Sequence, residues 1–423
     1  MRRMKQDPIA GWARLALVML LLGALPATAA AQDAAAPAQQ TVAVAVQSAK
    51  PSLEVYGFAM LDIGHDFKQI NPNWSDTLRI TRLPKFENEY GRDHNTFAGV
   101  RQSRLGVKAT TPTDLGLLNT TFEFELFGVG VDEGQTTFRL RHAYGEVGKF
   151  GAGQYWSPFM DIDVFPNSLE YWGPTGMVFF RNVQFRYYPW RNEKATTVVA
   201  VERPGASGDQ GIYADRVELA GIKARFPMPD FSGAYKYEDT WGYVRAAGII
   251  RYIKWDDTTL DIFELGGSAT GWGINLSSNL KAGSKDVIRL QYVFGEGIQN
   301  MMNDSPVDIG VEDNFQNSVT PIVGKAIPLQ GLVLFVDHTW NTKYCSAFGY
   351  SWQNNDNTNE QAPDAFKVGH YLLGNVLHYP VPNVMLGAEF QWGRRENFSD
   401  GFTSDGAKLQ FSFKYNFSYK VGG

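Results

Sequence analysis

Residues 408–420, Lys408-Leu409-Gln410-Phe411-Ser412-Phe413-Lys414-Tyr415-Asn416-Phe417-Ser418-Tyr419-Lys420, decide how the rest of the chain is read. Every second residue from Leu409 to Tyr419 is aliphatic or aromatic, and every residue between is polar or charged. A period of two puts the two sets on opposite faces of a β-strand. A strand of a soluble sandwich would alternate too, but its buried face would favour Val, Ile and Leu. Successive aromatics from Phe411 to Tyr419 fit a face turned to lipid, where interfacial girdles collect aromatic rings.

The same alternation, broken by Gly, Pro, Asn or Asp, recurs back to about Leu53. It marks segments near 53–65, 98–110, 117–128, 135–147, 149–156, 181–190, 195–203, 215–226, 242–255, 268–281, 286–297, 330–340, 344–352, 365–379, 384–396 and 407–420. About sixteen strands, with helical periodicity nearly absent, predict an all-β chain. The architecture expected is a transmembrane antiparallel β-barrel with short turns at one end and long loops at the other.

Composition agrees. The 423 residues are 44% hydrophobic and 20% charged, with one Cys and a net charge of -5. These values exclude a disordered chain, a disulfide scaffold and a generally basic, nucleic-acid-binding surface. A mean hydropathy of -0.26 argues against a bundle of membrane helices, whereas the two faces of barrel strands average out on such a scale.

At the N-terminus, Arg2, Arg3, Lys5 and Arg14 precede the apolar run Leu15–Leu25 and then Ala27-Thr28-Ala29-Ala30-Ala31. Charge, apolar core and small-residue site in that order predict an export signal over residues 1–31. Its removal takes away four cations and one anion and moves the net charge from -5 to -8. Residues 32–52 read as a flexible periplasmic lead-in and 53–423 as the barrel. Lone Cys345 has no partner thiol in the chain and reads as a packing residue.

If the aromatic parity faces lipid, the other parity lines the lumen. That places Arg104, Lys108, Arg139, Arg141, Arg186, Arg289, Lys408 and Lys414 inside, against Glu123, Glu125 and Glu389. An excess of Arg and Lys on a channel wall draws anions, and the guanidinium fork matches a carboxylate. For Arg139 and Arg141 a purely structural pairing with Glu123 and Glu125 is an equal alternative. Arg104 and Arg186 have no acidic neighbour in sequence and read as ligand-facing. One long connection, about 157–180, carries Phe159, Met160, Ile162, Phe165, Tyr171 and Trp172. So apolar a loop should be packed in the lumen and narrow it. Its Asp161, Asp163 and Glu170 then either face the basic wall or else cap turns or face solvent.

The chain resembles the DcaP-like porins of Gram-negative outer membranes. The resemblance rests on Tyr56-Gly57-Phe58 with Leu61-Asp62, Arg101–Lys108, Phe122–Glu125 and Arg139–Gly145. It continues through Trp156-Ser157-Pro158-Phe159, Gly173–Gly176 and Gly387–Glu396. It implies a homotrimer of sixteen-stranded barrels passing small anionic solutes, with dicarboxylates as the substrate class. It also implies that the loop after Trp156 is the constriction.

Passive diffusion needs no cofactor, metal or catalytic residue. The rival functions are a porin for phosphate, sugars or general solutes, a plugged structural or adhesive barrel, and an outer-membrane hydrolase. Against the hydrolase, the six His residues (65, 94, 142, 338, 370 and 378) fall in neither H-E-x-x-H nor a G-x-S-x-G partner set. His142, on the lipid-facing parity, reads as interfacial. The expected surroundings are outer-membrane lipid and lipopolysaccharide. Asp256, Asp257, Asp304, Asp308, Glu312 and Asp313 could bridge to the latter through divalent cations, though a solvated loop is the simpler account.

Overall fold

The computed structural model describes residues 50–423. The expected leader and most of the lead-in lie outside the described residues. In chain order the strands are β1 Ser52–Asp66, β2 Asn95–Gly99, β3 Arg104–Thr113, β4 Gly116–Phe127, β5 Thr136–Val147, β6 Phe150–Trp156 and β7 Arg181–Arg191. They continue with β8 Ala195–Glu202, β9 Ile222–Arg225, β10 Asp230–Asp239, β11 Gly242–Asp257, β12 Gly267–Ala282, β13 Asp286–Glu296, β14 Ile309–Asp313 and β15 Ile322–Ala326. The last five are β16 Pro328–Asn341, β17 Tyr344–Asn355, β18 Phe366–His378, β19 Val384–Asn397 and β20 Thr403–Gly422.

All wall pairings are antiparallel, and β1 closes the ring on β20 from Ser52 opposite Gly422 to Asp66 opposite Lys408. Two staves are interrupted. The lower part of β1 pairs with β3 and its upper part with β2, so β2 and β3 form one stave broken at residues 100–103. In the same way β9 and β10 share β11 as neighbour and are separated by Phe226-Pro227-Met228-Pro229. Neither proline can donate a ladder hydrogen bond, so the stave breaks there. Counted as staves the wall is a closed barrel of 16 strands, with β14 and β15 forming a separate hairpin.

The expected eighth segment, 215–226, is corrected. Only Ile222–Arg225 is strand, and the stave proper is Asp230–Asp239. The small residues Ser232, Gly233 and Ala234 blunt the alternation there, which hid it in the sequence. The long connections lie at the end opposite the chain termini, the extracellular end in barrels of this kind.

The 157–180 connection folds inward as its composition demands. Phe159, Val164, Met177 and Val178 are fully buried. Asn275 Nδ2 donates to the Phe159 carbonyl at 2.9 Å, and Gln291 Nε2 to the Gly176 carbonyl at 3.1 Å. Gly176 lies flat on the wall: a Cβ there would stand 2.2 Å from the Trp352 carbonyl oxygen.

A second inward loop, within 67–94, corrects the expectation of a plain external connection. Trp74, Leu78, Ile80 and Leu83 are buried at 1% exposure or less. Arg395 donates to the Thr81 carbonyl at 2.7 Å, Ser404 to Pro84 at 2.7 Å and Lys408 to Ser75 at 2.8 Å. The two loops meet where the Leu78 amide donates to Glu170 at 3.2 Å. Arg79 lies over both Trp74 and Trp172, at 4.3 and 4.1 Å from the ring centroids. Together the loops cover inward apolar residues of the later strands, among them Val333, Phe335, Tyr371 and Leu373.

Candidate functional site

The inward face of β3–β7 carries the charges. Register sets Arg104 opposite Glu125, and β5 follows with Arg139 and Arg141. Arg141 Nε donates to Glu123 at 2.6 Å and its Nη1 donates to Glu125, while Arg104 approaches the same two carboxylates at 3.7 and 3.6 Å. Arg139 and Arg181 each reach Glu125 at 3.6 Å. Four guanidinium groups thus surround two carboxylates, and the cluster keeps an uncompensated charge of about +2. Tyr56 OH donates to Glu123 at 2.8 Å and Tyr171 OH donates to Glu125, so the loop is bonded to the cluster it faces. The Arg104 and Arg139 side chains remain 25% and 27% exposed, whereas Glu125 is fully covered. The charge offered to the lumen is therefore positive.

Along this wall Lys108 lies over the Tyr56 ring at 4.4 Å and Lys414 over Phe58 at 4.0 Å. Lys108 is exposed and Lys414 half-buried.

The comparisons with known proteins agree with this architecture. The DcaP outer membrane protein family matches residues 33–417. The chain belongs to that family. A similar solved structure is the outer membrane channel DcaP of Acinetobacter baumannii, 17% identical, with a TM-score of 0.72 over 87% of this chain and 98% of that one. The anion-selective porin from Comamonas acidovorans shares 11% identity, with a TM-score of 0.53 over 87% of this chain and 100% of the other. OmpT of Vibrio cholerae, in its trimer form, shares 13% identity, with a TM-score of 0.50 over 87% and 100%. Identities this low carry the fold alone. No curated protein sequence matches. The DcaP family places the chain among outer-membrane proteins.

In this DcaP-family barrel three sequence-level assignments change. Arg104 does have acidic neighbours, brought across from β4 by register. Arg186 has none, yet it is 7% exposed and donates to Gln184 Oε1, Tyr188 OH and the Trp156 carbonyl. It stiffens the wall more than it faces the lumen. His142 is no interfacial residue: an extra residue in β5, opposite the step from Glu123 to Phe124, turns both Arg141 and His142 inward. His142 is 5% exposed and packs on Trp156 with its ring centroid at 4.8 Å. Downstream of that bulge the parity is reversed, so Tyr144 is buried on the lumen side.

Arg289 sits lower on β13, where it pairs with Asp337 at 2.7 Å and donates to the Asp163 carbonyl. Lys408 is buried, 3.6 Å from Asp66. Of the loop acids, Asp161 is 4% exposed and accepts from Tyr243 OH at 2.8 Å and Ser277 Oγ at 2.5 Å. Glu170 is 2% exposed and accepts from the Leu78 and Trp172 amides. Burial raises its carboxyl to about 8. Only Asp163 is open, 53% exposed and 3.4 Å from Lys236. Turn and loop fixing, the structural alternative, describes Asp161 and Glu170.

Sequence reasoning missed Arg181, which precedes the inward-parity run of β7 and reaches Glu125 from the strand end. The acidic loop set proposed for cations is largely spoken for. Asp304 binds Arg79 and Thr81, Asp308 binds Arg251 at 2.9 Å, and Glu312 pairs with Lys325 at 2.9 Å. Among the described residues no group of three or more His, Cys, Asp or Glu could hold a metal.

Proposed function

We propose that the protein is a passive channel for small anionic solutes, dicarboxylates by family resemblance, which pass along the β1–β7 side of the lumen. The observation that carries this reading is the cluster of Arg104, Arg139, Arg141 and Arg181 around Glu123 and Glu125. Its most exposed members are cations, and they stand opposite the inward loop. A charge of about +2 in a narrow gap acts at low effective dielectric and repels cations there. Arg104 and Arg139 present forks to a passing carboxylate while Glu125 holds their bases in place. Lys108 and Lys414 extend the attraction toward the short-turn end. Attraction to several sites in series allows entry without trapping. A homotrimer is proposed with it, supported by the resemblance.

Reversal potential in planar bilayers under a salt gradient tests the reading. Anion preference is expected, and Arg104→Ala with Arg139→Ala should lower the anion-to-cation permeability ratio about tenfold, or ~1.4 kcal/mol. Cation preference in the unmutated channel overturns it. A plugged scaffold is the second reading, favoured by two inward loops in place of one. It predicts no conductance steps in the same recordings.

A further inference from the structure

Two of the six histidines meet where the second inward loop leaves and rejoins the wall. His65 is the last residue but one of β1, and His94 immediately precedes β2. Register sets His65 directly opposite Thr96, on the parity of Leu61 and Ile63 that faces away from the lumen. His94 has a φ of 70°, in the left-handed region that few non-glycine residues occupy. That turn carries the chain from the loop into β2 with the His94 ring facing His65 across the stem.

Three observations point to an ion between the two rings. The first is their separation. His65 Nε2 and His94 Nδ1 stand 3.4 Å apart, beyond the usual range of a hydrogen bond. Two metal–imidazole bonds of about 2.0–2.1 Å meeting at a tetrahedral angle of ~109° span about 3.3–3.4 Å. The ring planes are 26° apart and the centroids 5.6 Å apart, so the two nitrogens lie between the ring centres. A small turn about χ2, a broad torsion, aims both lone pairs at one point. The second is the support behind His65. Its Nδ1 lies 3.2 Å from Thr96 Oγ1, and with the Nδ1 proton donated there Nε2 carries a free lone pair. An oxygen acceptor on the far ring nitrogen is the usual way a protein orients a metal-binding histidine. Phe67 meets the same ring edge-on at 5.1 Å. The third is that the stem is closed independently: Asp93 accepts from the Gln69 amide at 2.9 Å and from Lys68 at 3.4 Å. The imidazoles are thus brought together before any ion arrives.

We propose that His65 and His94 form a binding site for a divalent transition metal of the zinc and copper class, with water completing the coordination. Two imidazole nitrogens suit these ions, whereas calcium and magnesium call for oxygen ligands. Asp93 is committed to Gln69 and Lys68 and is not counted among the ligands. A bound ion ties residue 65 to residue 94, the two ends of the loop that covers the later strands, and fastens that cover from outside the lumen. The site stands apart from the charged cluster and does not depend on the selectivity of the channel.

The test is isothermal titration of Zn²⁺ into the full-length protein, without a polyhistidine tag, in lipid nanodiscs. One ion should bind per chain. His65→Ala and His94→Ala should each weaken binding at least tenfold, and His378→Ala, at the short-turn end of β18, should leave it unchanged. The Cu²⁺ complex of the wild type should show two imidazole nitrogens by electron paramagnetic resonance, and that of His94→Ala fewer. Zn²⁺ should raise the thermal-unfolding midpoint of the wild type and not that of His94→Ala. Unaltered metal-free conductance shows that the variants fold. Zn²⁺ binding undiminished in either single variant, or no Zn²⁺ binding by the wild type, overturns the site.

Discussion

The two sides of the lumen are built on opposite plans. On β3–β7 the inward positions include Arg104, Lys108, Glu123, Glu125, Arg139 and Arg141, and the wall stands partly bare. On β16–β18 the inward positions include Val333, Phe335, Ala347, Tyr371, Leu373 and Leu377, all at 1% exposure or less. That side is largely apolar over β16 and β18, with buried polar groups such as Ser351 and Gln353 on β17, and is covered by the two loops. One side therefore keeps its charges accessible to solute, and the other is the core of a soluble protein enclosed in a membrane barrel. An inward substitution should change selectivity on the first side and stability on the second.

Removal of the cover is the strongest way to break this contrast. Replacing residues 71–85 by a short Gly-Ser linker withdraws Leu78, Ile80 and Leu83 from the wall. It should raise conductance several-fold and cost on the order of 5 kcal/mol of stability, read from conductance and from thermal unfolding. Unchanged conductance would show that the loop blocks nothing.

Glu125→Gln acts on the open side and mixes the two plans, because this carboxylate is both buried and central to the cluster. Anion preference should rise as stability falls by ~3 kcal/mol, with four guanidinium groups left around one remaining acid. A fall in anion preference would contradict the assignment of the cluster.

Glu170 connects the two loops and gives the covered side a pH dependence. Its carboxyl titrates near 8 when folded against 4.5 ordinarily, so the folded protein binds the extra proton between those values. Stability should therefore decline as pH rises from about 4.5 to 8 and level off above, and Glu170→Gln should flatten that slope in unfolding measurements. The smallest effect belongs to Asp163→Asn. The residue is exposed, so stability should move by less than ~1 kcal/mol while anion preference increases slightly in reversal-potential recordings.

Much of this was legible in the strand parity. Residues 408–420 and the segments before them located nearly every stave, and the apolar content of 157–180 predicted an inward loop. The second loop was less visible, though its seat left a trace. Gly393 and Gly406 are inward positions without side chains, and Ile80 and Leu78 occupy that space, where a Cβ would come within 2.1 and 2.7 Å of them. The run Leu332-Val333-Leu334-Phe335-Val336 is apolar on both parities, the mark of a strand buried on both faces. The site was less legible than the fold. Parity counts every residue as one step, so the extra residue in β5 misplaced His142 and Tyr144. Pairing across strands, which gives Arg104 its carboxylates, is a property of register that no local pattern carries.

The seat of the second inward loop also sets an order of events. Thr81 is held by Arg395, 314 positions later, Pro84 by Ser404 at 320, and Ser75 by Lys408 at 333. Residues made early thus wait for the last two strands before they have anywhere to rest. Contacts of such long sequence separation form late and slowly. Until β19 and β20 arrive, Leu78, Ile80 and Leu83 lack the seat over Gly393 and Gly406, and the unfinished lumen is greasy on one side. The nascent barrel is at its most vulnerable to misassociation just before the ring closes, and its filling and its closure are one step.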